Sequence, residues 1–218
     1  MIITIDGPAA AGKGTLSSRL AKKYNLAYFD TGMIYRAVGL DLILNQIDPE
    51  DDDKALDSAK NMTFARMIEL SKHEDFRSNL GGQAASKVAA KTPVRKVLLK
   101  MQQDFALAPK FADGQKAQGV VYDGRDTGTV VCPNADIKIF ITASPEVRAM
   151  RRHKEFIEKG IDSVYEDVLA QTKERDLRDS TRESAPLKPA EDAFIVDTSF
   201  MSIDDVYNKV CEIIDNKK

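Results

Sequence analysis

Nowhere in the 218 residues do 18 apolar positions follow one another, so no segment reads as a membrane-spanning helix. The chain is also short of net charge. Its 32 basic residues against 34 acidic ones leave −2, which offers no basic field to gather nucleic acid or an anionic membrane surface. A charged leader followed by an apolar stretch is missing too: the first apolar strand begins at Ile2, and a cytoplasmic protein is the expectation. Cysteine is scarce. Cys132 sits beside Pro133 after an apolar run and Cys211 in the apolar stripe of the last helix, so both read as buried thiols rather than a disulfide or metal pair. His73 and His153 lie among charged residues without a ligand partner nearby, which favours capping or surface roles over catalysis.

What is present begins at the first residues. Ile2-Ile3-Thr4-Ile5 reads as a buried parallel strand, broken at Gly7, and the helix-forming segment Leu16–Tyr24 follows. Between them lies Gly7-Pro8-Ala9-Ala10-Ala11-Gly12-Lys13-Gly14-Thr15, whose Gly7-x4-Gly12-Lys13 spacing is that of a phosphate-binding loop in the strand-loop-helix setting the pattern requires. Glycines let the backbone curl so that successive N–H groups converge on an anion. The helix behind the loop brings its positive dipole end to the same point. Lys13 adds a mobile positive charge that can follow β- and γ-phosphates. A chance glycine-rich turn would not need the strand in front. Gly14 stands where a Ser or Thr hydroxyl commonly binds Mg²⁺, so the ion is expected to be held by phosphates and water more than by protein.

The remainder alternates strands and helices. Leu26–Phe29 reads as a second strand ending at Asp30-Thr31-Gly32. A helix over Met33–Leu44 follows, with Ile34, Ala37, Val38, Leu42 and Leu44 apolar. The acidic run Asp48-Pro49-Glu50-Asp51-Asp52-Asp53 reads as the entry of a helix over Lys54–Asn61, since carboxylates favour a first turn; a metal site is the weaker reading. Helices are expected over Asn79–Ala90 and Pro93–Ala106, with a looser, unpatterned piece at 61–76. So long a helical stretch between strands exceeds a simple crossover and reads as an insertion, placed at 41–112, in a core made of 1–40 and 113–218. The sheet resumes at Gly119–Tyr122 and Ile137–Ile141. Helices then run over Ser144–Lys159, with Ser144 and Pro145 as a start signal, and over Ser163–Asp179. Phe194–Val196 is a fifth strand, and an amphipathic helix over Ser202–Ile214 presents Ile203, Val206, Val210, Ile213 and Ile214. Together these give an α/β fold, a five-stranded parallel doubly wound sheet. Ligands in such folds sit beyond the strands' carboxyl ends, where Gly7, Asp30, Asp123, Thr142 and Asp197 all fall.

Two further features carry chemistry. Asp123 ends an apolar strand, the position from which phosphate-loop enzymes set an acid near Mg²⁺, here through water; an ordinary Asp-Gly turn is the alternative. Arg148, Arg151, Arg152, Arg175, Arg178 and Arg182 are crowded together, and Arg175, Asp179 and Arg182 would share one helix face. A solvated charged face explains most such runs. Arg175 and Arg182 instead suit a site that must neutralise two sets of phosphates, which the bidentate guanidinium does well. The arginine-rich segment from about Arg151 to Arg182, with many charges and few apolar anchors between Lys154 and Tyr165, is expected to move.

At these residues the sequence resembles the bacterial cytidylate kinases, within the nucleoside monophosphate kinases, whose loop has the same Gly-Lys-Gly-Thr ending. The matching pieces are Gly7–Thr15, Asp30–Arg36, Ala84-Ala85-Ser86-x-Val88-Ala89-Ala90 with Pro93-Val94-Arg95, Asp123–Val131, and Lys173–Arg182 before Ala185-Pro186-Leu187. They cover nearly the whole length, in the family's order. The resemblance implies phosphoryl transfer from ATP with Mg²⁺ to CMP and dCMP. It implies that the loop holds ATP and that Lys13, Arg125, Arg175 and Arg182 serve catalysis. Tyr35, Arg36 and Arg125 would hold the acceptor; Ser86, Arg95 and Asp126 would face its pyrimidine; Thr31, Arg175, Asp179 and Arg182 would line its sugar and phosphate. It further implies that 41–112 is the monophosphate-binding insertion and that 151–172 is the closing lid. Longer members carry a small extra sheet there, for which 61–76 is too short, although Arg77 and Ser86 keep their spacing. A monomer acting on small molecules, with neither nucleic acid nor membrane as partner, is the expectation.

The physics of that reaction asks for no side chain of tuned acidity, because the acceptor phosphate oxygen is already a nucleophile; positioning and charge neutralisation suffice. Two rivals stay open. One is another small phosphate-loop kinase, acting on AMP, UMP or shikimate; the discriminator is the Ser86, Arg95 and Asp126 set, which an adenine-binding site has no evident reason to carry. A nucleotide-dependent regulatory protein would need one triphosphate pocket and no second anion site. A structural ion pair between Asp126 and Arg95 is the alternative to base recognition.

Overall fold

In the computed structural model, which describes residues 1–217, the central strand is β1 (Ile2–Asp6). It pairs in parallel with β3 (Val120–Gly124) on one side and β4 (Ile137–Thr142) on the other. β2 (Ala27–Asp30) lies outside β3, and β5 (Phe194–Asp197) pairs in parallel with β4, giving the order β2-β3-β1-β4-β5 in a five-stranded parallel sheet. Ile3, Ile5, Val120, Val121, Tyr122 and Ile141 have no solvent exposure, as a sheet covered on both faces requires. β5 departs from this: as an edge strand it leaves Phe194 and Ile195 exposed and buries only Val196.

Two compact units are present. The first comprises 1–29, 108–181 and 185–218. Its core gathers Ile3, Ile5, Leu16, Leu20, Val121, Ile139, Ile141 and Val196 with Val206, Val210 and Ile214. Helix α1 (Lys13–Tyr24) packs on α9 (Ile203–Asp215), which starts at a reciprocal cap between Ser202 and Asp205. α9 turns Ile203 to solvent, against its expected place in the apolar stripe. In the same unit α7 (Pro145–Glu158) packs against α8 (Tyr165–Thr181).

The second unit comprises 30–107 and 182–184. Its centre is α2 (Gly32–Leu44), against which α3 (Asp52–Asn61), α4 (Phe64–Leu70) and α5 (Asn79–Ala89) pack. α6 (Thr92–Leu107) covers α3 and α5. Because α2 buries Ile34, Ala37, Val38, Leu40 and Leu42 among these helices, this unit begins ten or so residues before the insertion boundary read at 41. Leu44, read as apolar stripe, is exposed at the end of α2. The acidic run is a helix entry, with the Asp51 carboxylate accepting from Lys54 N–H.

Where the sequence looked unpatterned, the chain forms α4, capped by Thr63, and a short 3₁₀ turn over Glu74–Arg77. The His73 ring nitrogen caps that turn by accepting from Asp75 N–H. A second turn, the π-helical Thr127–Val131, had no counterpart in the reading. The 151–172 segment also differs in one respect. Phe156 is buried with Ala149 and Val168 between α7 and α8, and His153 Nδ1 lies 3.0 Å from Ser163 Oγ, so the hairpin has its own small apolar anchor. Both cysteines are buried free thiols. No helix among the described residues is long and apolar enough to cross a membrane.

Candidate functional site

The first unit holds the phosphate loop. Gly7 leaves β1 at φ +150°, and a Cβ there would lie 2.0 Å from the Ile141 carbonyl oxygen, so the loop lies against the backbone of β4 and only glycine fits. Ala10 takes a left-handed φ of 58°, an uncommon conformation for a residue with a Cβ, and Gly12 caps α1 at φ 93°. This curl is what turns successive N–H groups toward one point at the start of α1. Lys13, only 5% exposed, folds back so that its ammonium donates to Pro8 O at 2.8 Å and stands 4.0 Å from Asp123 Oδ1. Tyr28 OH donates to Asp123 Oδ2 at 3.4 Å, and a Cβ on Gly14 would come 3.5 Å from the same oxygen. The sequence-predicted Gly7–Thr15 loop and Asp123 are therefore brought together at the ends of β1 and β3.

Beyond β3 the same unit carries a second charged group. Arg125 Nε donates to Asp179 Oδ2 at 3.1 Å, and Arg175 Nε lies 3.9 Å from the same oxygen. Asp179, 7% exposed at its side chain, thus gathers two guanidinium groups, one from after β3 and one from α8. Arg182 does not share their helix face: α8 ends at Thr181, and Arg182 falls in the second unit. Asp126 is 5% exposed at the head of the π-helical turn.

The second unit holds the remaining candidates. α2 supplies Thr31, at its N-terminus, with Tyr35 and Arg36; α5 supplies Ser86 and α6 supplies Arg95. Arg36 donates to Phe76 O at 3.0 Å. Arg95 is 5% exposed, donates to Ala89 O and lies 5.3 Å over the Tyr35 ring, a cation–π distance. Thr31, Tyr35 and Ser86 are buried with it.

Three residues near these groups escaped the reading or were left without a role. Asp6 ends β1, buried, and accepts from Thr127 N, Thr127 Oγ1 and Gly128 N at 2.9, 2.8 and 2.7 Å. Burial pushes its carboxyl above the usual range, against the pull of those three bonds. The signal was available: a charged residue closing an otherwise apolar strand. Arg148, named only as part of the arginine crowd, is 2% exposed; it donates to Ala9 O in the loop and forms a bidentate pair with Asp176 of α8. Tyr28, which orients Asp123, gave no signal beyond being a strand residue.

A parallel sheet whose first strand feeds a phosphate loop, with Lys13 and Asp123 facing each other behind it, defines a phosphate-loop kinase. The fold alone is shared with distant solved structures. A shikimate kinase from Bacteroides thetaiotaomicron aligns over 99% of this chain and 98% of its own at a TM-score of 0.50 and 13% identity. An uncharacterized protein from Eubacterium ventriosum aligns at 0.52 and 14%, with the same coverage. Sequence is more specific: the family model for cytidylate kinase matches residues 3–216. A cytidylate kinase of Xanthobacter autotrophicus is 45% identical over 100% of this chain and 99% of its own length. One from Paramagnetospirillum magneticum is 47% identical over 100% and 99%. The chain belongs to the cytidylate kinase family and is a nucleoside monophosphate kinase.

Proposed function

We propose that the protein transfers the terminal phosphoryl group of ATP, bound with Mg²⁺, to the phosphate of CMP or dCMP, releasing ADP and the nucleoside diphosphate. The observation that carries this reading is the Arg125–Asp179–Arg175 group, a set of cations additional to those of the phosphate loop, as a second phosphate requires. The loop N–H groups and Lys13 hold the ATP phosphates. Mg²⁺ suits this donor set: Asp123 offers hard oxygens beside Lys13, and among the described residues no cluster of three metal-ligating side chains exists. Phosphates and water would complete the shell, and the ion would supply charge neutralisation at the transferring group. Arg36 and Arg125 hold the acceptor phosphate, and Tyr35 also contributes to acceptor binding. Thr31 and Asp179 serve the sugar, and Arg175 and Arg182 meet charge developing on the phosphoryl group.

The base is read by Ser86, Arg95 and Asp126. Cytosine presents an amino donor and a ring-nitrogen acceptor where uracil presents a carbonyl and an N–H. An ionised Asp126 can only accept and Arg95 can only donate, while the Ser86 hydroxyl can do either. Asp126→Ala should therefore cost CMP more than UMP, because a charged hydrogen bond is worth about 1.5–3 kcal/mol, roughly tenfold to a hundredfold. Steady-state kinetics with both acceptors decide it: an equal fall for CMP and UMP means the base is read elsewhere.

Residues 151–172 are proposed as the lid. Their anchor between α7 and α8 is a small cluster, and residues 159–164 between the helices are mostly exposed. Amide exchange across 151–172 should slow when ATP analogue and CMP are both bound. Unchanged exchange would count against a lid.

A further inference from the structure

The buried Asp6 carboxylate at the end of β1 has no part in the reactions described above. We infer that Asp6 is a positioning residue for the acceptor: its carboxylate fixes the Arg125–Asp126 step by capping the π-helical turn that follows it. The inference rests on the proposed roles of Arg125 and Asp126.

Four observations support it. Asp6 and Gly124 are register partners at the ends of β1 and β3, so the chain passes Asp6 one residue before Arg125. All three donors that reach the carboxylate belong to the first two residues of the turn, Thr127 and Gly128. Asp126 stands at the turn's N-cap position yet makes no cap bond there, so an acid from another strand performs the task a local Asp commonly does. Gly128 is packed tightly enough that a Cβ on it would lie 2.8 Å from Thr4 Oγ1 and 3.4 Å from Asp6 Oδ2, which holds its N–H against the carboxylate. Arg125 and Asp126 are thus bracketed: β3 fixes one side and Asp6 the other. A first contact with substrate is only as precise as the groups that hold it, and side chains between two fixed points lose the freedom to drift.

Asp6→Asn is the test, since it keeps the shape while leaving one acceptor oxygen and turning an amide donor toward the Gly128 N–H. The KM for CMP should rise about tenfold and the preference for CMP over UMP should shrink severalfold, while the KM for ATP stays within about twofold. Thr127→Val removes only the hydroxyl donor and should move the same two quantities less. It also carries the test should Asp6→Asn fail to fold, as judged by thermal unfolding. A lower melting temperature with unchanged CMP KM and unchanged CMP-to-UMP ratio makes Asp6 scaffolding and overturns the inference. Equal shifts in the ATP and CMP KM values would assign Asp6 to the phosphate loop it precedes, and overturn it as well. Asp126→Ala measured alongside separates the failures. If that variant leaves selectivity untouched, the reading of the base site falls; if it abolishes selectivity while Asp6→Asn does nothing, only the present inference falls.

Discussion

Replacing Lys13 with methionine should lower kcat by roughly two to three orders of magnitude while the protein stays folded, the loss expected when one well-placed donor to a developing charge is removed, about 3–4 kcal/mol. Methionine keeps the length of the side chain and fills the same space, so the change is one of charge. In the free protein the Lys13 ammonium is parked on Pro8 O and faces Asp123 across 4.0 Å. With so little exposure it has little room to be replaced by solvent. Removing it leaves Asp123 without that neighbouring cation, so some stability is lost as well, and melting curves must accompany the kinetics. Lys13→Arg should not restore turnover, because a planar fork cannot follow the phosphates as a compact ammonium on a flexible stem does. A Lys13→Met enzyme within tenfold of the wild-type rate would remove the loop from the chemistry.

The fold was legible where local chemistry and burial agree. β1, β3 and β4 are β-branched runs buried on both faces, and their apolarity has no other outlet. Helix starts were legible where a cap is written into the chain, as at Ser144-Pro145 and Ser202. α4 was missed because only Met67 and Leu70 of its seven residues are buried, too few to display a period. The π-helical turn was invisible for a different reason: Thr127–Val131 is a β-branched, glycine-containing run, and its first N–H groups are taken up by the Asp6 carboxylate, distant in sequence. Leu44 and Ile203 fit apolar stripes by spacing, but each stands at the end of its helix, where it is exposed.

The site was legible in part. The loop could be read because its spacing is dictated by phosphate geometry, and Asp123 because it closes an apolar strand. The shared carboxylate of Asp179 between Arg125 and Arg175 could not be, since Arg125 reaches it from a different element. Reading Arg182 onto the same helix face failed because the helix stops one residue earlier. Arg148 showed only as one arginine in a crowd; its tie to the Ala9 carbonyl and Asp176 depends on the packing of α7 against α8.

The acceptor decides the account most directly. ADP formation by the purified protein should be followed with Mg²⁺ and ATP in the presence of CMP, dCMP, UMP, AMP, shikimate or no acceptor. If Asp126, Arg95 and Ser86 read the base as proposed, a purine or a non-nucleotide leaves their polar groups unmatched, and such a mismatch costs at least about a thousandfold in kcat/KM. UMP, which matches CMP in size but reverses two hydrogen bonds of the base, should fall between these limits. Rapid turnover is expected with CMP and dCMP, slower turnover with UMP, and rates with AMP or shikimate close to the acceptor-free background. Turnover of AMP or shikimate matching that of CMP, or ADP released at the same rate without any acceptor, would contradict it.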